Sequence, residues 1–408
     1  MYLFYGRPDG LDTVHDLKLV GETANDGFGV SVAPAGDMNG DGYSDLIVGG
    51  YQAQGLAPLS GRAYVFLGAR TGQISTVPSL VIDGEGGDDA LGVSVSSAGD
   101  VNGDGYGDVI VGAMFAPGEG PSTGRAYIHL GASTASMDAA PDTVLAGFAD
   151  HDFFGQSVAG AGDLDGDGYA DVVVGAPRAD VDAVANDDSG RVYVFRGGVG
   201  GMDNNPELIL FGPAADATFG ASVAGGGDTN GDGFADLVVG ADGSASMPGQ
   251  VWIYPGHPNT LVSPTADSTT ASADLGDAYG SCVAAAGDVN SDGLGDLLVG
   301  ANRSDVTDVD EGQAFLFFGQ SNALQSAPAA VFVGTPGARL GLSMSGVGDV
   351  NGDGTGDILV GAPFDDAGGN SRGRAFFYVG EVGMFDETPD ATLTGEADLD
   401  VFGYTKWP

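Results

Sequence analysis

Hydrophobic residues recur along this chain in short runs broken by glycine, a pattern of many short strands and tight turns rather than of long helices. One set of segments alternates, as in VSVAPAG from Val30 to Gly36, and predicts a strand with glycine and serine on its crowded face. A second set is continuously apolar, as in Leu46-Ile47-Val48 and Val172-Val173-Val174, ends in Gly-Ala or Gly-Gly, and predicts a buried strand. A third is announced by glycine plus Arg or Gln: GRAYVFLG from Gly61, GRAYIHLG from Gly124, GRVYVFRG from Gly190, GQVWIYPG from Gly249, GQAFLFFG from Gly312 and GRAFFYVG from Gly373. A weaker fourth strand closes most units, as in LVIDGE from Leu80, TVLAGF from Thr143 and ATLTGE from Ala391.

These segments follow one another in a fixed order. Each unit opens on an aromatic residue or leucine followed by glycine, at Phe28-Gly29, Leu91-Gly92, Phe154-Gly155, Phe219-Gly220, Tyr279-Gly280, Leu340-Gly341 and finally Phe402-Gly403. Nine residues later, in the first six copies, comes an acidic loop: DMNGDGYSD, DVNGDGYGD, DLDGDGYAD, DTNGDGFAD, DVNSDGLGD and DVNGDGTGD, with first aspartates 60 to 65 residues apart. Repetition in register makes this a repeat architecture. Four short antiparallel strands cannot bury both faces alone, so neighbouring units must stack, which is the logic of a β-propeller blade; a parallel β-helix has shorter repeats.

The expected fold is therefore all-β, a seven-bladed β-propeller of four-stranded antiparallel blades forming a single domain over 1–408. Complete blades are expected at about 28–90, 91–153, 154–218, 219–278, 279–339 and 340–401. The opening MYLFYG and HDLKLVGE match third and fourth strands, and Phe402-Gly403-Tyr404 matches the start of a first strand. A seventh blade is thus expected to be split between 402–408 and 1–27 and to lack its second strand. Its acidic loop would begin three residues beyond Pro408, so the sequence reads as part of a longer propeller, with a six-bladed ring as the alternative.

Composition narrows the partners. The net charge is -44, from 57 acidic against 13 basic residues, which opposes nucleic acid phosphates and anionic membrane surfaces. No run of 18 apolar residues could span a bilayer, and MYLFYGRPDG lacks the features of a secretory signal, so neither membrane insertion nor an export signal is expected within this segment. The one cysteine, Cys282, takes the place of Ser31, Ser94, Ser157, Ser222 and Ser343 in the other units and reads as a small packing residue that implies no redox compartment.

Much of the acidity is concentrated in the six loops, which hold 19 of the carboxylates, three per loop plus Asp165. Calcium takes six to eight hard oxygen ligands, and the loops offer them at regular spacing. Position 1 supplies Asp37, Asp100, Asp163, Asp228, Asp288 and Asp349; position 3 supplies Asn39, Asn102, Asp165, Asn230, Asn290 and Asn351. Position 5 adds Asp41, Asp104, Asp167, Asp232, Asp292 and Asp353, and position 9 adds Asp45, Asp108, Asp171, Asp236, Asp296 and Asp357. From position 7 the backbone carbonyls of Tyr43, Tyr106, Tyr169, Phe234, Leu294 and Thr355 complete each set, and glycine at position 6 lets the chain wrap the ion. An EF-hand starts alike but needs Glu at position 12, where Val48, Val111, Val174, Val239, Val299 and Val360 stand instead. The loop therefore leads into a strand. Solvated Asp-Gly turns are the plain alternative, but turn chemistry does not require oxygens at 1, 3, 5 and 9 together. Up to six Ca2+ ions are expected.

The aromatic-glycine openings, the acidic loops and the endings Gly175-Ala176-Pro177 and Gly361-Ala362-Pro363 resemble FG-GAP repeats, which build the seven-bladed propeller at the head of integrin alpha chains and occur in many bacterial extracellular proteins. Other endings diverge, as in Gly49-Gly50-Tyr51 and Gly300-Ala301-Asn302. The resemblance covers essentially the whole chain and implies structural calcium on one rim.

Strand order puts the connections between second and third strands opposite the acidic loops, and these vary most: GYQAQGLAPLSG, APRADVDAVANDDSG, ANRSDVTDVDEG and APFDDAGGNSRG. Variable loops on a rigid scaffold are where binding resides. Asp180, Asp182, Asp187, Asp188, Asp305, Asp308, Asp310, Glu311, Asp365 and Asp366 make that face acidic, or merely solvated. The expected function is an extracellular or cell-surface calcium-binding module for adhesion or ligand binding, meeting a protein or glycan there. Millimolar external calcium fills sites with Kd of about 10⁻⁴ to 10⁻³ M, as in extracellular modules. The alternative is a secreted propeller hydrolase or lyase. No catalytic residue is expected, since His15, His129, His151 and His257 share no repeat position, His129 lies in a strand, and only His151, flanked by Asp150 and Asp152, suggests a cluster.

Overall fold

The computed structural model describes residues 1–404 except 71–72, 119, 121, 135–136, 181–186, 245, 259, 273, 322, 368 and 384. Six four-stranded antiparallel sheets stand in a ring as propeller blades, and no helix occurs among the described residues. Blade one is built from Phe28–Gly36, Asp45–Gly50, Arg62–Phe66 and Leu80–Asp83, paired in sequence order. Blade two uses Leu91–Gly99, Asp108–Ala113, Arg125–His129 and Thr143–Ala146, and blade three Ser157–Gly162, Asp171–Ala176, Arg191–Phe195 and Leu208–Phe211. Blade four comprises Ser222–Gly227, Asp236–Ala241, Gln250–Tyr254 and Ser268–Ala271. Blade five has Tyr279–Gly287, Asp296–Ala301, Gln313–Phe317 and Ala330–Val333, and blade six Ser343–Gly348, Asp357–Ala362, Arg374–Tyr378 and Ala391–Thr394.

The repeated aromatic-glycine pair has two physical jobs. In four blades its ring packs edge-on against the third strand of its own sheet: Phe28 on Tyr64 at 5.4 Å, Phe154 on Tyr193 at 5.2 Å, Phe219 on Trp252 at 5.1 Å and Tyr279 on Phe315 at 5.4 Å. Such pairs add about 0.5–1.5 kcal/mol beyond area burial. The glycine after the ring is where neighbouring blades come closest. A Cβ at Gly112 would lie 2.1 Å from the Gly155 carbonyl oxygen, and one at Gly300 2.1 Å from that of Gly341. Only glycine at the end of the second strand lets the next blade approach so near.

Hydrogen bonds tie the same seam. Three serine hydroxyls near the start of the first strands accept amides from the following blade, Val95 N–H on Ser31 at 2.9 Å, Val158 N–H on Ser94 at 3.2 Å and Val283 N–H on Ser222 at 3.0 Å, whereas Ser157 donates to Gly220 O at 2.7 Å. The serine positions thus carry hydrogen bonds between units as well as being small packing residues; Cys282 is buried at the corresponding place. Core clusters accordingly run between blades, one joining Ile110 and Ile128 of blade two to Val174 and Tyr193 of blade three.

Outside the six sheets, Tyr2–Leu3 pairs with Leu17–Lys18. This two-stranded sheet touches the end of the chain through Tyr2 and Phe402, ring centroids 5.6 Å apart, and through Lys18 Nζ and Glu396, 2.6 Å apart. It touches blade one where the Ile74 amide donates to the Tyr5 hydroxyl at 3.1 Å. Among the described residues no four-stranded seventh blade forms, and the ring consists of six complete ones. Blades four and five also carry small hairpins that the sequence pattern did not announce, Gly256–His257 with Leu261–Val262 and Gly319–Gln320 with Ala323–Leu324.

Candidate functional site

Every acidic loop joins the first strand of a blade to the second. Just before it the strand register shifts, between Pro34 and Gly36, Ser97 and Gly99, Gly160 and Gly162, Gly225 and Gly227, Ala285 and Gly287, and Gly346 and Gly348. The second glycine of each pair has positive φ, 71° at Gly36 and 80° at Gly99. A bulge of this kind ends pairing and re-aims the chain. It turns the first aspartate out of the sheet and into the loop.

Within the loop the carboxylates are set by backbone amides. Asp37 Oδ1 accepts Asp41 N–H at 3.0 Å and its Oδ2 accepts Gly42 N–H at 2.8 Å, while Asn39 Oδ1 also accepts Asp41 N–H at 2.8 Å. Asp41 Oδ1 accepts Tyr43 N–H at 3.0 Å. The position-6 glycines make the same bond to position 1 in the other five loops, each at 2.9 Å. Their φ lies between 88° and 94°, and a Cβ there would meet open space, so position 6 requires glycine for its left-handed backbone rather than for room.

Position 9 is different in kind. Asp108 is fully buried, its Oδ2 accepting Val101 N–H at 2.8 Å and its Oδ1 accepting Gly131 N–H at 2.7 Å, beyond the third strand. Asp45, Asp171, Asp236, Asp296 and Asp357 repeat the arrangement with Gly68, Gly197, Gly256, Gly319 and Gly380. Burial pushes the carboxyls of Asp108, Asp171 and Asp296 up to about 7, the paired amides pull them down, and the position-5 and position-1 aspartates push up again. A buried carboxylate crowded by like charges is short of a cation. In loop three, ligand oxygens of Asp163, Asp165 and Asp171 all lie within 4.8 Å of one another. Such an all-oxygen donor set fits a hard divalent cation.

Position 7 offers more than the carbonyl expected of it. Its side chain also acts, because in loops two to five it packs on the position-4 glycine of the preceding loop. A Cβ at Gly40 would lie 2.6 Å from the Tyr106 ring, one at Gly103 2.6 Å from Tyr169, one at Gly166 2.7 Å from Phe234 and one at Gly231 3.1 Å from Leu294. Position-8 amides reach the same neighbour, Gly107 N–H donating to Asp37 O at 2.9 Å and Gly295 N–H to Asp228 O at 2.8 Å. Consecutive loops therefore brace one another. The one non-glycine at position 4, Ser291, precedes the loop whose position 7 is the small Thr355, a paired change in size that was visible in the sequence.

The acidic residues between second and third strands are spent differently. Asp180 Oδ1 accepts Asp187 N–H at 2.8 Å and Asp188 N–H at 3.3 Å; Asp305 Oδ1 accepts Asp310 N–H at 2.7 Å; Asp366 Oδ1 accepts Ser371 N–H at 2.6 Å. Asp308 accepts the amide of Val309, and Glu311 accepts those of Val306 and Thr307. Asp310 pairs with Arg339 at 3.2 Å, and Asp365 with Arg374. Asp182 lies outside the described residues. In the same set of connections Leu56 and Leu59 of blade one and Val306 and Val309 of blade five are exposed.

The histidines sit in four separate places. His15 lies 3.7 Å from Glu396, and His257 contacts Pro258 O and Thr260. His129 is buried in the third strand of blade two, where burial lowers its ring to about 4 and keeps it neutral. His151 is 72% exposed and 3.5 Å from Asp150. Its φ of 66° matches Asn25, Asp88, Asp216 and Leu399, the same turn before other blades, so its setting is that of a connection residue.

Five segments of the chain match the FG-GAP repeat family, residues 28–66, 91–129, 154–195, 219–254 and 341–378. The chain is 34% identical to integrin alpha-5 of Xenopus laevis over 226 residues, covering 53% of this chain and 20% of that protein. It is 38% identical to human integrin alpha-7 over 165 residues, 40% of this chain and 13% of the relative, and 32% identical to integrin alpha-V of Gallus gallus over 246 residues, 57% and 22%. The matched region thus spans about a fifth or less of these relatives.

Proposed function

We propose that this FG-GAP repeat propeller, which resembles the N-terminal domain of integrin alpha chains, is a calcium-stabilised ligand-binding module of an adhesion-type protein at the cell surface or outside the cell. Up to six Ca2+ ions are structural, one per acidic loop, held by the side chains at positions 1, 3, 5 and 9 and the carbonyl at 7. The observation that carries this is the sixfold recurrence, on a bulge-set loop, of a buried position-9 carboxylate opposed by at least one further aspartate of its loop. When bound, a divalent ion supplies the positive charge those groups lack; the chain's own part is to hold the oxygens converged and to brace each loop against the next.

The complementary role falls to the connections between second and third strands, at the other end of each blade. Their differing lengths and their exposed Leu56, Leu59, Val306 and Val309 support recognition of a protein or glycan there. The dispersed histidines favour binding over hydrolase or lyase chemistry, as does the likeness to integrin alpha chains. We read 1–408 as one domain with the blade limits given above.

The test is a binding screen of the calcium-loaded chain against immobilised extracellular-matrix proteins and glycans. The expected ligand loses binding when Leu56 and Val309 are changed to Ser, and keeps it when Tyr43 on the acidic-loop end is changed to Ser. The opposite pattern would move the binding face to the acidic loops.

A further inference from the structure

We propose that Arg196 is the resident cation of the third acidic loop and makes that loop a weaker divalent-ion site than its neighbours. This rests on the calcium reading above and concerns loop three alone. The residue after the third strand is Leu67 in blade one, Leu130 in two, Arg196 in three, Pro255 in four, Phe318 in five and Val379 in six, so a basic side chain stands here once in six copies. Its guanidinium contacts Asp165 Oδ2, and its Nε lies 3.5 Å from Asp167 Oδ2.

Asp165 is equally singular, the one carboxylate at a position otherwise held by Asn. Its side chain is fully buried; Oδ1 accepts Asp167 N–H at 3.2 Å, while Oδ2 has no hydrogen-bond partner and faces the guanidinium. The two exceptions offset each other. Four carboxylates and one arginine give loop three the same net charge as loops with three carboxylates and an asparagine. Guanidinium stays charged at any working pH, so it cannot yield its place by losing a proton. A divalent ion among these carboxylates would sit beside a fixed positive charge, and at separations of a few ångströms in a partly buried site that repulsion is strong. To bind, the ion must first drive Arg196, 37% exposed, outward to solvent. Loop three thereby keeps a cation and its tie to the third strand at calcium concentrations that leave the other loops unfilled.

The experiment counts calcium bound per chain by equilibrium dialysis at a free concentration that fills the wild-type sites. Arg196→Gln is expected to bind one ion more than wild type, and Arg196→Lys, which keeps the charge, the same number as wild type. Asp163→Asn, which removes a loop-three ligand, is expected to leave the wild-type count unchanged, and this arm decides the matter if the Gln variant does not fold. No gain in the Gln variant, or loss of one ion in the Asn variant, overturns the proposal. Absence of calcium from every variant and from wild type would instead overturn the calcium reading itself.

Discussion

In blades three, five and six the connections at both ends are acidic, yet they use their carboxylates differently. In the third loop between first and second strands the ligand oxygens of Asp163, Asp165 and Asp171 converge, and in all six such loops the position-9 aspartate is buried where ionisation is costly. Between second and third strands, Asp180, Asp305 and Asp366 turn back onto amides of their own loop, and Asp310 and Asp365 pair with arginines. Charge alone therefore does not identify a site. Amide partners do not separate them, since Asp37 and Asp108 also accept backbone amides; what does is a buried position-9 carboxyl that further aspartates of its loop push up.

The sharpest way to break this contrast is to change one carboxylate at each end. Asp108→Asn places an amide NH2 against an amide that now donates to Asp108, and is expected to cost about 1–3 kcal/mol for each buried N–H left unpartnered. Asp308→Asn, at the other end, is expected to leave the melting temperature unchanged; equal effects in paired thermal melts would erase the distinction.

A pH comparison comes next. The folded carboxyls of Asp108, Asp171 and Asp296 sit at about 7, above the ordinary 3.8. Between roughly pH 4 and 7 the calcium-free fold therefore holds protons that the unfolded chain has released. Stability of calcium-free protein should rise as pH falls from 8 to 5, and calcium-loaded protein should lose that gain. Denaturant melts at both pH values check the sign.

A smaller effect separates two glycines of one loop. Gly103→Ala must both accept φ of 74° and clear the Tyr169 ring, whereas Gly105→Ala meets only φ of 89° in open space. We expect about 1–2 kcal/mol for the backbone alone and a further loss for Gly103→Ala, relieved when Tyr169→Ala is added. Without that relief, the bracing of loop two by loop three is wrong.

The strand order, the acidic loops and their entry into a strand were legible because each follows from spacing within a single unit. The bulge before each loop was not, since it exists only in the pairing of Ser97 and Gly99 with Val109 and Asp108. Contacts between units were hidden for the same reason. Tyr169 on Gly103 joins residues of different blades, and Arg196 meets Asp165 only because a third strand ends beside its own blade's loop. His151 is flanked by Asp150 and Asp152 in the sequence, but the turn it shares with Asn25, Asp88 and Asp216 is seen only in the backbone. What the acidic residues between second and third strands bond to was not legible either, because hydrogen bonds such as Asp310 N–H to Asp305 leave no trace in composition.

Thermal melting of one preparation, in millimolar calcium and again after chelation, tests most directly whether the acidic loops hold the propeller together. At about ten times its Kd each filled site adds about 1.4 kcal/mol, so several emptied together should lower the melting temperature by on the order of 5–10 °C. Readdition of calcium should restore it. Coincident melts in calcium and chelator, from protein first shown to carry the ion, would contradict a structural role for the loops.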